Sequence, residues 1–92
     1  MESTFHLEII SPEKVVYRGA ASSLVVPAEY GYMGILAHHA PLVAHLVRGK
    51  IIVRDEAGKV ETLQTSGGFM EVSRNQATVV LDTYEGGKDG EA

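Results

Sequence analysis

The 92-residue sequence contains no cysteine and no tryptophan, and only three prolines. Without thiols there is no disulfide framework, no thiolate nucleophile and no cysteine-ligated metal, and the redox compartment leaves no trace. Long apolar runs are also missing: no stretch approaches the roughly 18 apolar residues that a membrane-spanning helix requires. Met1-Glu2-Ser3-Thr4 places no basic cluster ahead of an apolar segment, so a soluble chain without a signal peptide is expected. Positive charge is in short supply, with eight Lys and Arg against twelve Asp and Glu and a formal net charge of −4. That is the wrong sign for a domain that binds phosphates by releasing counterions, and the basic residues are scattered from Lys14 to Lys88. Nucleic acid is therefore not an expected partner.

What is present is short-period alternation. A chain of this length supports one core, and a domain this small buries only about 60% of its unfolded surface, so a partner interface would add to its stability. Phe5, Leu7 and Ile9 alternate with His6 and Glu8, the two-residue period of a half-buried strand, which Ser11-Pro12 ends. Lys14–Tyr17 and Ser22–Val26 read as two brief strands bounded by Gly19 and Pro27. Pro41–Val47 fits a strand or one helical turn, and a strand is expected. Lys50–Arg54 and Lys59–Thr65 form a hairpin around Asp55-Glu56-Ala57-Gly58, with Gly58 at positive φ. A second hairpin joins Phe69–Val72 to Ala77–Asp82 through Ser73–Gln76, and turns Ala77, Val79 and Leu81 inward. Eight to ten short strands with no helix-length periodic segment predict an all-β, two-sheet sandwich or barrel. The domain is expected over residues 1–84, with residues 85–92 as a flexible tail.

Chemistry is sparse. Of the four histidines, His39 and His45 would share a strand face, but adjacent His38 and His39 would point oppositely and no acid sits at ligand spacing, so no metal is expected. No serine occupies a Gly-x-Ser-x-Gly elbow. Ser66-Gly67-Gly68 lacks the Lys-Ser or Lys-Thr of a phosphate loop, and its paired glycines are read as a strand bend or a close backbone approach. No catalytic residue and no cofactor is assigned. The segment Tyr30-Gly31-Tyr32-Met33-Gly34-Ile35-Leu36 sets large apolar side chains between glycines that disfavour a regular element. Either Met33, Ile35 and Leu36 fold inward as core, or Tyr30, Tyr32 and Met33 form an exposed contact patch with Ile35 inward.

Three blocks carry a resemblance. Phe5-His6-Leu7-Glu8-Ile9-Ile10-Ser11-Pro12-Glu13 followed by Gly19, then Gly31-Tyr32-Met33-Gly34-Ile35-Leu36 through His39-Ala40-Pro41-Leu42, then Ser66-Gly67-Gly68-Phe69-Met70-Glu71-Val72, resemble in order the epsilon subunit of F-type ATP synthases. The resemblance implies a ten-stranded β-sandwich in the central stalk that rotates with the c ring. One side would lie on the gamma subunit and the lower end on the c ring, at the cytoplasmic face of a bacterial inner membrane or its equivalent. It implies a non-catalytic coupling subunit whose contacts include Tyr30, Gly31, Tyr32, Met33 and His39. Many relatives have a carboxylate where Tyr32 stands, so the contact here would be aromatic. The C-terminal helical pair of such subunits has no counterpart in these residues. A small ligand-binding or hydrolytic β-domain, and a self-associating sandwich, are the alternative readings.

Overall fold

The computed structural model describes residues 3–83, and the expected tail over 85–92 lies outside them. Eight strands follow one another: β1 (Phe5–Ile10), β2 (Val15–Ala28), β3 (Gly31–Leu36), β4 (Leu42–Leu46), β5 (Gly49–Asp55), β6 (Val60–Thr65), β7 (Gly68–Ser73) and β8 (Gln76–Leu81). No helix occurs among the described residues. The all-β, sandwich-like expectation holds, and so do β4 as a strand and both hairpins. In the β5–β6 connection Gly58 has φ +90°. The β7–β8 turn places Arg74 and Asn75 at φ 54° and 58°, the left-handed pair that a two-residue hairpin loop requires.

Two expectations are corrected. The ten strands implied by the resemblance are eight among the described residues, within the eight to ten read from the alternation, and the two brief strands expected over Lys14–Tyr17 and Ser22–Val26 are one strand of 14 residues. Gly19 and Pro27 punctuate a chain only where nothing else holds it, and here both lie within β2. The segment read as irregular is likewise a strand: Gly31–Leu36 pairs without interruption against Ser23–Ala28. Its glycines leave the backbone pairing intact because β2 supplies a full ladder.

β2 is the shared element. Its first half pairs with β1 from Tyr17 to Ala21, and its second half carries β3 on one edge and β5 on the other. At Ala28 it also bridges Leu46 of β4. The ladder path β1-β8-β7-β4-β2 therefore closes on itself through the β1–β2 pairing, while β3, β5 and β6 extend from β2 as the second layer. β1 gives way to β3 between Ala21 and Ser23 on one edge, and on the other the β2–β5 ladder has a bulge at the same place. Its extra residue, Ser22, is buried, with its hydroxyl directed at the Arg54 and Asp55 carbonyls 3.3 and 3.2 Å away.

The core lies between the layers. Leu7, Ile9, Leu24, Ile51, Met70 and Val79 are fully buried, and each contributes roughly 1.5–3 kcal/mol relative to exposure. Ala77, Val79 and Leu81 face inward as expected from their alternation. Ser66-Gly67-Gly68 also behaves as read. Gly67 and Gly68 have φ +144° and +152°, and a Cβ on Gly68 would lie 2.0 Å from the Val80 carbonyl oxygen. Thr65 is buried beside them and closes the bend, its hydroxyl accepting the Gly67 N–H and lying 3.0 Å from the Gly67 carbonyl.

Gly68→Ala is expected to lower stability by about 2–4 kcal/mol, since strain and overpacking act together there. A fall in the urea midpoint at constant m checks this, and an unchanged midpoint refutes the close approach. Tyr17 supplies a pH test. Burial first, and then the charges of Asp55, Glu61 and Glu56, raise its phenol above the usual value, and its hydroxyl donates to the Ala20 carbonyl at 2.9 Å. A raised folded-state value means the phenol contributes stability that is fully present below the unfolded value of about 10 and is lost as pH rises through the folded value. Thermal melts between pH 9 and 12 should show this loss, reduced in Tyr17→Phe.

Candidate functional site

The turn between β2 and β3 brings Tyr30 to the end of the sandwich, where it is 99% exposed. From there β3 and β4 flank a groove of about 600 Å³, lined on one wall by Ala28–Met33 and on the other by Leu42–His45. The groove exists because its walls belong to different ladders. β3 pairs with β2, whereas β4 pairs with β7 and shares with β2 only the ladder bridge Ala28–Leu46. Backbone bonds from Glu29 N–H to the His45 carbonyl (3.2 Å) and from Val47 N–H to the Pro27 carbonyl (2.8 Å) close one end of it.

Side chains divide by strand alternation. Ile35 is buried and Met33 packs against the core, while Tyr32 and Leu36 lie on the opposite face, 61% and 63% exposed. Each sequence reading of this segment is thus right for part of it. Ile35 and Met33 turn inward; Tyr30 and Tyr32 form the exposed patch. Tyr32 is nevertheless held: its hydroxyl accepts the Lys50 N–H at 3.2 Å.

Tyr30, Gly31, Tyr32 and Met33 come together in the groove wall, but His39 does not join them. It lies beyond the far end of β3, in the connection to β4 rather than on a strand with His45. There its N–H donates to the Leu36 carbonyl and its ring Nδ1 lies 2.8 Å from the Ala40 carbonyl. Asn75 fixes that connection against the β7–β8 turn, its Oδ1 accepting the His38 N–H at 2.7 Å and its Nδ2 donating to the Thr4 carbonyl at 3.0 Å.

A second surface was not singled out from the sequence. Phe69 pairs with Val80, Val80 with Ile10, and Ile10 with Val15, so four apolar residues from β7, β8, β1 and the start of β2 make one row across the outside of the sheet. Phe69 and Val15 are 41% and 44% exposed. Across the β4–β7 ladder Phe69 faces His45, while Val43, 71% exposed, faces Glu71 and belongs to the groove wall. The adjoining row is polar, with Glu71 opposite Thr78, Thr78 opposite Glu8, and Glu8 bonded to Arg18 at 2.6 Å. The available signal was an apolar residue on each outward face, at Ile10, Phe69 and Val80, where alternation calls for polar ones.

Among the described residues no three His, Asp or Glu side chains gather as a metal site, and no helix is long and apolar enough to cross a membrane. Ser66 has Thr83 as its hydroxyl partner at 2.8 Å, not a base. What the arrangement offers is contact area: an apolar groove at one end and an apolar row on one side.

Comparisons with known proteins agree on one family. Residues 4–87 match the model for the ATP synthase Delta/Epsilon chain, beta-sandwich domain. The ATP synthase epsilon chain of Desulfitobacterium hafniense (strain DSM 10664 / DCB-2) is 44% identical over 88 residues, covering 96% of this chain and 66% of the relative. That of Dichelobacter nodosus is 39% identical over 82 residues, covering 89% and 57%. The chain therefore spans about three fifths of the length of these relatives. Among solved structures, a chain of the Euglena gracilis mitochondrial ATP synthase, in a structure of OSCP, F1 and the c-ring, shares the fold with a TM-score of 0.86 at 23% identity, over 100% of this chain and 57% of that one. A chain of the Tetrahymena thermophila mitochondrial ATP synthase central stalk and c-ring does so with a TM-score of 0.72 at 14% identity, over 88% and 65%. With its core strands, its glycine bend and nearly its whole length inside the match, this chain belongs to the family of ATP synthase delta and epsilon chain β-sandwich domains.

Proposed function

We propose that the chain is a non-catalytic rotor subunit of an F-type ATP synthase, binding the gamma subunit and the c ring and coupling proton-driven rotation to ATP synthesis. The observation that carries the reading is the presence of two uncovered apolar surfaces, a groove and an outer row, on one closely packed body. A coupling subunit needs no reactive group. It needs low compressibility, which a close-packed β-sandwich supplies, and two places to hold.

The side that bears Val15, Ile10, Val80 and Phe69 suits the gamma subunit, and the end that bears Tyr30–Met33 suits the c ring. Each patch holds an aromatic side chain, Phe69 in the row and Tyr30 with Tyr32 at the end, a residue type enriched at interfaces. His39 lies past the opposite end of β3 and belongs to neither patch. The domain would sit peripherally, on the cytoplasmic face of a bacterial inner membrane or the equivalent side of another coupling membrane, held there through the complex.

Co-expression with gamma and c subunits from one source, followed by purification through a tag on this chain, tests the proposal. Tyr30→Asp with Val43→Asp should reduce retention of the c ring at least about tenfold, equivalent to 1.4 kcal/mol, and leave gamma bound. Val15→Asp with Phe69→Asp should release gamma. Recovery of both partners with both double variants would refute the assignment of the surfaces, and recovery of neither with the unaltered chain would refute the function.

A further inference from the structure

Tyr32 combines high exposure with a fixed position, and the cause lies in β5. The β2–β5 ladder runs as far as Val25 opposite Ile52. Two residues further it would set Pro27 opposite Lys50, but the Pro27 carbonyl is already taken by the Val47 N–H. The Lys50 N–H is thus left without its ladder acceptor, and the Tyr32 hydroxyl fills that place at 3.2 Å. Tyr32 reaches it from the neighbouring strand, since its cross-strand partner is Pro27 itself. Gly49, the first residue of β5, is what leaves room for this. A Cβ there would lie 2.7 Å from the Pro27 Cβ and 2.9 Å from the Tyr32 hydroxyl. Its backbone is not in the left-handed region, so the glycine is required for space and not for conformation.

We propose that Gly49 and the Lys50 N–H form a seat that fixes the Tyr32 ring for partner binding, making Gly49 a positioning residue of the end surface. The inference rests on the reading of that end as the c-ring contact. A flat ring held at its hydroxyl presents one rigid apolar face, and a partner meeting it spends no free energy on ordering a mobile side chain. The fitting counterpart is an uncharged, aliphatic loop residue of the c ring that packs flat on the ring, not a salt-bridging one.

Two measurements on the whole chain test it. Without any partner, amide exchange at Lys50 should quicken at least about tenfold in Tyr32→Phe, which keeps the ring, and in Gly49→Ala, which displaces the hydroxyl. Tyr30→Ala should leave it unchanged. Unaltered Lys50 exchange in both Tyr32→Phe and Gly49→Ala would overturn the seat. With purified c ring, Gly49→Ala should weaken binding about threefold to tenfold, the range expected for releasing one ordered side chain, and should add nothing in a Tyr32→Ala background. An equal loss from Gly49→Ala in both backgrounds would overturn the positioning role. Should Gly49→Ala fail to fold, Tyr32→Phe carries the binding test alone, with the same threefold to tenfold loss expected and undiminished binding overturning the inference. If Tyr32→Ala itself leaves binding intact while Lys50 exchange responds as described, the seat stands and the c-ring assignment fails.

Discussion

The structure depends on the hydrogen-bonding capacity of a single long strand. β2 has two edges and 14 residues, and between them they hold β1, β3, β4 and β5. The ring β1-β8-β7-β4 closes only because β2 begins beside β1 and ends beside β4. The second layer exists only because the middle of β2 still has both edges to offer. Each change of partner must occur where one ladder can stop without orphaning a donor. At the Ala21/Ser23 bulge the extra residue directs its own hydroxyl toward two carbonyls. At Pro27 the difficulty is halved, because proline has no N–H to lose, and its carbonyl accepts from Val47, just past the end of β4.

The two apolar surfaces follow from this arrangement. Since β3 hangs from β2 while β4 belongs to the ring, their facing sides cannot pair along their length, and the groove lies between them. The outer row arises differently. Phe69, Val80, Ile10 and Val15 are aligned by the registers of three ladders, one of them the parallel β1–β8 pairing that brings the first and last strands together. Surface apolar residues scattered singly need no explanation, but four brought into one row from positions 10, 15, 69 and 80 make a continuous apolar surface that only the fold assembles.

That distinction decides how much was legible in the sequence. The β5–β6 and β7–β8 hairpins were, because alternation and turn residues act within a dozen positions, and the inward face of Ala77, Val79 and Leu81 came with them. Gly67-Gly68 was legible as a close approach, though not that Val80 is the neighbour. β2 was not legible as one strand, because Gly19 and Pro27 are breakers by local rule and only pairing with four other strands overrides them. Gly31 and Gly34 misled for the same reason. At the candidate site, the exposure of Tyr30 and Tyr32 was one of two readings open from the sequence, and it is the one these two residues follow. The row around Phe69 was missed, because its members are far apart in sequence and each sits on an unremarkable strand.

The segment Tyr30–Leu36 shows how one strand meets three demands. Ile35 and Met33 give the core its share of apolar area, the alternate backbone groups complete the β2 ladder, and Tyr32 and Leu36 remain outside. Gly34 lies between those two exposed residues and adds no bulk to the outer face. An exposed aromatic on an edge strand is ordinarily mobile, and an uncharged edge strand ordinarily invites unwanted pairing. Here the first hazard is removed by a backbone donor that Pro27 cannot satisfy, and the second is turned to use if a partner covers the strand. The proline that interrupts the β2–β5 ladder and the tyrosine that repairs it are cross-strand neighbours, so the local defect in pairing is also the means by which the exposed ring is held in one orientation.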